Sequence, residues 1–593
     1  MSQLSNPFVA YLNRYTTVSP EHEAAFDEFI AQETLTSGTT LRLMTKTEQF
    51  VRACFQRPVP PSIILTGNAG DGKTYLCRQI IETFTGQPVT DWSDRGDWPI
   101  QRDTVTLRVV KDLSELGEDA GAQMLREMDA ELTCAQPQTI FLLAANEGRL
   151  RALLSREGLH DLYTLVDRQI RTGTDAQNSR LIVIDLNQVT TSSYVPQAVD
   201  WLTAPAHWQA CQECPARDAC PIRFNAQRLA DTHIGSRLTL LYQTLEHLGL
   251  HITIRDMLIH LAYTTTGGLT CQQVIDQSDQ MHWDRRDLVY YENVWGTGAS
   301  MTFRQKAVAI SQLRRLQVGE ISVFAVDDFI INGITDETEQ RVHDGLFEPA
   351  LDLNGPQFHQ DRLAYLHGGA SSPQPADQHP LMDWLVHCRR KLFFEWDNTT
   401  AANHLFAFRY LPDYFKLLAA DRATLKQYGR DLVLGLNRAF SGLYLTDREH
   451  LYVTSQYAHA VEQPVPLIRL KIASDYIELA PETPAHTVAD RDLTLLVLEI
   501  PPPPRTQAAP IRWTVDLLRF EYLMWRARGG MPNILASECE LAIRQLKDDI
   551  LLHFAVQDDD PHQITFFAAE RTRYVERSLW VDVDEAGTGT IRM

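Results

Sequence analysis

The stretch Ser62-Ile63-Ile64-Leu65-Thr66-Gly67-Asn68-Ala69-Gly70-Asp71-Gly72-Lys73-Thr74 constrains this chain more than any other. Ile63 to Leu65 is a short apolar run that reads as a buried strand, and Gly67 to Thr74 fits the phosphate-loop pattern G-x-x-x-x-G-K-[ST]. Each part has a physical task. The glycines let the backbone turn tightly, so that several N–H groups face one cluster of phosphate oxygens. Lys73 adds a point charge for the β- and γ-phosphates, and Thr74 offers a hydroxyl to Mg²⁺. The apolar positions Leu76, Ile80 and Ile81 recur at helical spacing, so a helix from Tyr75 to Phe84 is predicted, with its positive end at the same phosphates. The expected ATP-binding residues are Gly67, Asn68, Ala69, Gly70, Asp71, Gly72, Lys73 and Thr74.

The segments that follow alternate in type. Strands are predicted at Val105–Val110, Thr139–Ala145 and Leu181–Ile184, and helices at Asp119–Leu132 and Arg149–Ile170. Such alternation argues an α/β fold with a parallel sheet. Ligands of these sheets sit beyond the carboxyl ends of the strands, where Asp112, Asn146, Glu147, Asp185 and Asn187 all fall. A nucleotide hydrolase needs a carboxylate for Mg²⁺ and a polar group for the attacking water. No strand ends in the usual Asp-Glu pair; Ala144-Ala145-Asn146-Glu147 is the nearest match. On one reading Glu147 polarises water and Asn187 or Asp185 senses the γ-phosphate. On the other Asp112 supplies the metal carboxylate and Asn146 is the sensor. Any of them can instead be a turn former or a helix cap.

Cys211, Cys214 and Cys220, the last followed by Pro221, have a spacing that can wrap one metal, and His207 could close a tetrahedral site. Zinc is the first choice and an iron–sulfur cluster the second. Two helices then follow. Leu238, Leu241, Leu245 and Leu248 stripe the first, and Thr253-Ile254-Arg255-Asp256 opens the second in a near capping box. This all-helical segment reads as a lid over the nucleotide. Arg255 is the candidate to reach the γ-phosphate, and Arg237 the candidate finger for a neighbouring subunit.

Beyond the core the signals thin out. The segmentation read from the chain is an N-terminal helical segment (1–60), the ATPase core (61–205), a cysteine-rich insertion (206–228) and a helical lid (229–352). A loop or linker (353–380), a helical then strand-rich region (381–500) and a C-terminal α+β region (501–593) complete it. Phe26, Phe29 and Ile30 form an apolar stripe in the first segment, and Pro501 to Pro504 read as a boundary or stiff connector. Arg389-Arg390-Lys391 is the one dense basic run, read as a solvated face or a contact to phosphate or an acidic partner, and Asp327-Asp328 reads as a turn or cap.

The charge count, 55 basic against 76 acidic residues, gives a net charge of −21. Autonomous gripping of a long polyanion is disfavoured by that balance, because phosphate neutralisation supplies most of such affinity. The N-terminus shows no signal-peptide pattern and no apolar run spans a bilayer, so a cytoplasmic protein without a membrane partner is expected. The nine cysteines do not form a disulfide framework in that compartment.

Gly67–Thr74, Lys111–Ser114, Ala144–Gly148, Cys211–Pro221 and Thr253–Gly268 together resemble the AAA-type ATPases of prokaryotic defence operons, in particular the DptF-like family of phosphorothioation-dependent DNA restriction. The resemblance covers roughly half of the chain. It implies an AAA-like P-loop NTPase core with a helical lid, followed by a mixed α+β C-terminal region. It also implies an ATP-hydrolysing motor or switch in a restriction or antiphage complex, in a homo- or hetero-oligomer, meeting DNA through partner proteins of its operon. The alternative is a nucleotide-binding regulatory scaffold with little turnover.

Overall fold

The computed structural model describes residues 5–16, 43, 45–89, 96–172, 180–278, 284–333, 336–347, 352–354, 357–368, 379–455, 466–483, 493–503, 506, 508–531, 537–554, 563–571, 573–583 and 589–592. The apolar stripe Phe26, Phe29 and Ile30 lies outside them. Two compact units emerge. The first holds the described residues of Met1–Glu246 and Leu250–Ala407; the second holds those of Phe408–Thr483 and Leu493–Met593, together with His247–Gly249. The division falls within the 381–500 region that the sequence reads as one piece.

The first unit is built on a mixed sheet of five strands: β1 (Ser62–Thr66), β2 (Trp98–Arg102), β3 (Val105–Val110), β4 (Thr139–Ala145) and β5 (Leu181–Asp185). Their order is β2-β3-β4-β1-β5. β3, β4, β1 and β5 run parallel, and β2 pairs antiparallel with β3 at the edge. The sequence reading did not include β2. Its Pro99 removes a ladder donor, which only an edge strand tolerates. β1 is buried along its whole length, as expected of a strand covered on both faces.

Helices before and between the strands are α1 (Pro7–Thr16), α2 (Lys46–Phe55), α3 (Lys73–Thr85), α4 (Glu118–Thr133), α5 (Glu147–Arg156) and α6 (His160–Thr172). Ile64, Phe141, Leu143 and Val183 of the sheet pack with Leu125, Met128, Leu150, Leu154 and Val166 from α4, α5 and α6. The one long helix expected over Arg149–Ile170 is two, broken at Glu157-Gly158, where Gly158 takes a φ of +66°. Four further helices matter below: α7 (Val195–Thr203), α8 (Pro221–Leu229), α9 (Thr232–His247) and α10 (Ile254–Thr266); α11 (Cys271–Ser278) follows them.

The basic run proves to be interior. Arg389, Arg390 and Lys391 sit in helix Leu381–Glu395 and are 5%, 6% and 4% exposed. Arg389 forks onto Asp327, with Nε–Oδ1 2.6 Å and Nη2–Oδ2 2.8 Å. Arg390 donates to the fully buried Glu292 at 2.5 Å and to Glu320 at 3.1 Å, and Lys391 pairs with Asp352 at 2.5 Å. Burial would push the Glu292 carboxyl up, but His387 and Arg390 hold it below the usual range. Asp327 is therefore a partner of Arg389 inside helix Phe324–Asn332 rather than a turn residue. The stretch expected as a loop or linker also carries a helix, Gln357–Gly368.

Among the described residues the second unit contains helix Arg422–Ser441, helix Leu517–Ala527, helix Ser537–His553 and eight strands: β6 (His450–Thr454), β7 (Leu467–Ala473), β8 (Glu478–Glu482), β9 (Leu495–Ile500), β10 (Ile511–Val515), β11 (Gln563–Glu570), β12 (Arg573–Val583) and β13 (Gly589–Arg592). They form two antiparallel sheets, ordered β10-β9-β8 and β13-β12-β11-β7-β6. Pro501 to Pro503 follow β9 within the antiparallel β9–β10 pair, so this proline run does not mark a boundary between units.

Candidate functional site around the glycine-rich loop

Register aligns the carboxyl ends of β4, β1 and β5. Thr66 stands opposite Ala145 of β4 and Asp185 of β5. From Thr66 the chain turns through Gly67–Gly72 and enters α3, whose first two residues are Lys73 and Thr74. Gly67, Gly70 and Gly72 adopt φ of +147°, +105° and +87°, values that side-chain-bearing residues rarely take. The last two differ in their reasons for being glycine. A Cβ on Gly72 would meet nothing within 4 Å, so the backbone alone demands it. A Cβ on Gly70 would lie 2.8 Å from Thr253 Oγ1 and 3.1 Å from Arg255 Cβ.

Gly70 is thus where α10 begins against the loop. The Arg255 amide donates to the Gly70 carbonyl at 3.3 Å. Thr253 caps α10, its hydroxyl accepting from the Asp256 amide at 3.1 Å, as the sequence pattern predicted.

Side chains fix the rest of the loop. Lys73 Nζ donates to the carbonyls of Gly67 and Asn68, each at 2.8 Å. Asp71 Oδ2 accepts from the Asn68 amide at 2.6 Å, and Asn187 Oδ1 accepts from the same N–H at 3.1 Å. The other Asp71 oxygen pairs with His251 Nε2 at 2.8 Å. Burial lowers the Lys73 pKa, opposed by the charges of Asp71 and Asp112, while Arg255 lowers it further. Arg255 is itself lowered by burial, opposed by Asp256 and Asp71. Burial also works against protonated His251, but Asp71, Glu246 and Asp185 outweigh it and leave this imidazole above its usual value.

Lys73, Asp71, Asp112, Asn187 and Arg255 are therefore within mutual influence at the loop. Asp112 additionally accepts from the Ser114 amide and hydroxyl at 2.7 and 2.6 Å, a local turn at the end of β3. Two other candidates are engaged in α5. Asn146 caps that helix, accepting from the Gly148 and Arg149 amides at 3.0 and 3.4 Å. Glu147 is its first residue and pairs with Arg151 at 2.8 Å. Asp185 caps the short turn Leu186–Gln188, accepting from the Asn187 amide at 3.1 Å, and so aims Asn187. Arg237 is 3% exposed, donates to the Trp396 carbonyl at 3.2 Å and lies over the Phe393 ring. Those contacts keep it inside its own unit, where a finger for a neighbour would need to be exposed.

The cysteine cluster gains a member and loses one. Cys211, Cys214 and Cys220 line a cavity together with Cys271, the first residue of α11. His207 does not line it. Its ring stacks on Phe8 with centroids 4.0 Å apart and planes at 9°, and its carbonyl accepts from Asn6 Nδ2 at 2.8 Å. Among the described residues no group of three or more His, Cys, Asp or Glu side chains is disposed to hold a single metal ion.

His251 and Cys271 escaped the sequence reading. Each reaches its site from a separate element, across 180 residues for His251 and Asp71, so no local spacing announces it. The one sequence sign for His251 is its place two residues before the Thr253 cap. Among the described residues no helix is long and apolar enough to cross a membrane. No protein-family model, curated protein or solved structure matches the chain.

Proposed function

We propose that the chain is a P-loop NTPase of AAA-like type that binds ATP with Mg²⁺ at Gly67–Thr74 and hydrolyses it. The observation that carries this reading is the junction of β1, loop and α3. Three glycines with positive φ bend the backbone beyond the end of a buried parallel strand, and a lysine opens the following helix. Amide groups there, with the positive end of α3, suit an anion. Lys73 would exchange two neutral carbonyls for phosphate oxygens, a stronger charge-assisted pairing. Thr74 would hold Mg²⁺ by its hydroxyl. Bound Mg²⁺ supplies neutralisation of charge developing on the phosphates.

The reading in which Asp112, whose charge already acts on Lys73, serves the metal is favoured over the one in which Glu147 polarises water. Asn187, which accepts from the Asn68 amide, would sense the loop, and Arg255, whose amide donates to the Gly70 carbonyl, would report nucleotide to α10. The output we propose is that of a motor or switch in a prokaryotic DNA-restriction or antiphage complex, acting with partner proteins. The net charge of −21 and the large second unit, which lies outside the loop-bearing unit, support a role exercised through partners. The test is calorimetric ATP binding and phosphate release by the full chain, alone and with its operon partners and DNA. Lys73→Ala should lower ATP affinity at least tenfold with an unchanged circular dichroism spectrum. Turnover at the parent rate in that variant would overturn the nucleotide site.

A further inference from the structure

We propose that Cys211, Cys214, Cys220 and Cys271 ligate one [4Fe–4S] cluster. The donor set is four thiols around one cavity, brought from separate elements: the turn Pro205–Glu213, Cys214 just after it, the start of α8 and the start of α11. Zinc bound by four thiolates holds each sulfur at about 2.3 Å, which draws them onto one point. Here the four cysteines line a cavity that Val9, Ile222 and Val274 also line. Four thiols lining one space suit a polynuclear centre, whose irons each take one thiolate.

The surroundings point the same way. Three of the sulfurs already accept N–H groups: Cys271 from the Asn6 amide at 3.4 Å, Cys211 from Asn6 Nδ2 at 3.3 Å, and Cys220 from the Arg223 amide at 3.5 Å. A neutral thiol is a weak acceptor. Hydrogen bonds aimed at ligand sulfur are what stabilises thiolate charge and tunes a cluster. Cys220 is the N-cap of α8, with Pro221 setting the first turn, so the helix dipole faces its sulfur. Arg217 and Arg223 line the same cavity and offset the negative charge of a four-thiolate cluster. When a preformed cluster is transferred, each thiol gives up one proton to solvent as its sulfur replaces a carrier ligand on one iron, with no change of oxidation state.

The position also gives the cluster something to hold. α10 starts at the glycine-rich loop and ends at Gly267, four residues before Cys271. Its 13 residues span about 20 Å. The cluster would tie the far end of α10 to α8 and, through Asn6, to the start of α1.

The full chain should be purified without oxygen and assayed for iron, acid-labile sulfide and zinc. The expected result is brown protein with about four iron and about four sulfide per chain. Cys271→Ala should lose more than half of the iron, while His207→Ala and the exposed Cys134→Ala keep it. Cys271→Ser is measured beside Cys271→Ala, because it retains side-chain volume; should both fail to fold, the metal content of the parent and of His207→Ala still decides. Zinc in place of iron would overturn the proposal. So would absence of iron after reconstitution with ferric iron, sulfide and a thiol reductant, or full iron in folded Cys271→Ala.

Discussion

Replacing Gly70 and Gly72 by alanine separates two reasons for glycine within one loop. Both substitutions put a side chain where φ is positive, +105° and +87°. That costs about 1–3 kcal/mol at either site, offset by about 0.4–1 kcal/mol from the stiffer unfolded chain. Only Gly70→Ala adds a collision, with a Cβ 2.8 Å from Thr253 Oγ1 and 3.1 Å from Arg255 Cβ. Overpacking of that kind costs about 1–3 kcal/mol. Relief requires the loop and the first turn of α10 to part, and the bond from the Arg255 amide to the Gly70 carbonyl lies across that seam. Hydrogen exchange at Arg255 reads the opening directly. At 1.4 kcal/mol per tenfold, exchange there should be about 5- to 100-fold faster in Gly70→Ala than in Gly72→Ala. Equal exchange in the two variants would refute the close-approach argument and leave backbone strain as the whole effect.

Asp112→Asn should slow ATP turnover at least tenfold while retaining nucleotide binding, and Glu147→Gln should change it less than threefold; a steady-state phosphate assay with the reverse ranking would favour the reading in which Glu147 polarises water. Arg390→Met strands the Glu292 carboxylate in the interior and should destabilise the first unit by about 3–5 kcal/mol, read as a lower thermal midpoint. The Asp71–His251 pair should show a defined pH dependence. Because the folded imidazole lies above its usual value, its stabilising contribution is complete below about pH 6.5 and is lost as pH rises through the folded value. The gap in thermal stability between the parent and His251→Gln should therefore close with rising pH, and a gap that widens would contradict the assignment.

Elements whose signal is local were legible in the sequence. β3 and β4 run over the expected residues, and α4 extends one residue beyond its expected span at each end, because periodicity and strand-end polarity are written into consecutive positions. Helix Ser537–His553 falls in the stretch that the sequence resolves no further than a C-terminal α+β region. Its buried residues Cys539, Ile543, Leu546, Lys547 and Ile550 do recur at helical spacing, but two of them are polar or sulfur-bearing and blunt the apolar stripe. The basic run misled for a related reason. Charge in sequence reads as solvation, yet Arg389, Arg390 and Lys391 find Asp327, Glu292, Glu320 and Asp352 from segments 39 to 98 residues away. Pairing makes burial of such groups tolerable, and no window of neighbours contains the partners.

The candidate site divides along the same line. The loop from Gly67 to Thr74 could be read because its chemistry demands adjacent residues. What acts on the loop could be read only as a choice between Glu147 and Asp112, because β3 and β4 both end near it and only their placement decides. Asn146 and Glu147 fit a hydrolase in their residue types, but the same types cap and open a helix, and that is the use α5 makes of them. Asp71 shows the converse. A residue that sequence assigns only to the loop backbone turns out to hold two atoms at once, the Asn68 amide with one oxygen and His251 with the other. A phosphate arriving at those amides would compete with Asp71 for the Asn68 N–H, and the released carboxylate would remain tied to His251, four residues before Arg255, whose amide donates to the Gly70 carbonyl. If nucleotide binds as proposed, its occupancy and the seat of α10 would be linked through one side chain, a coupling that requires the fold before it can be seen.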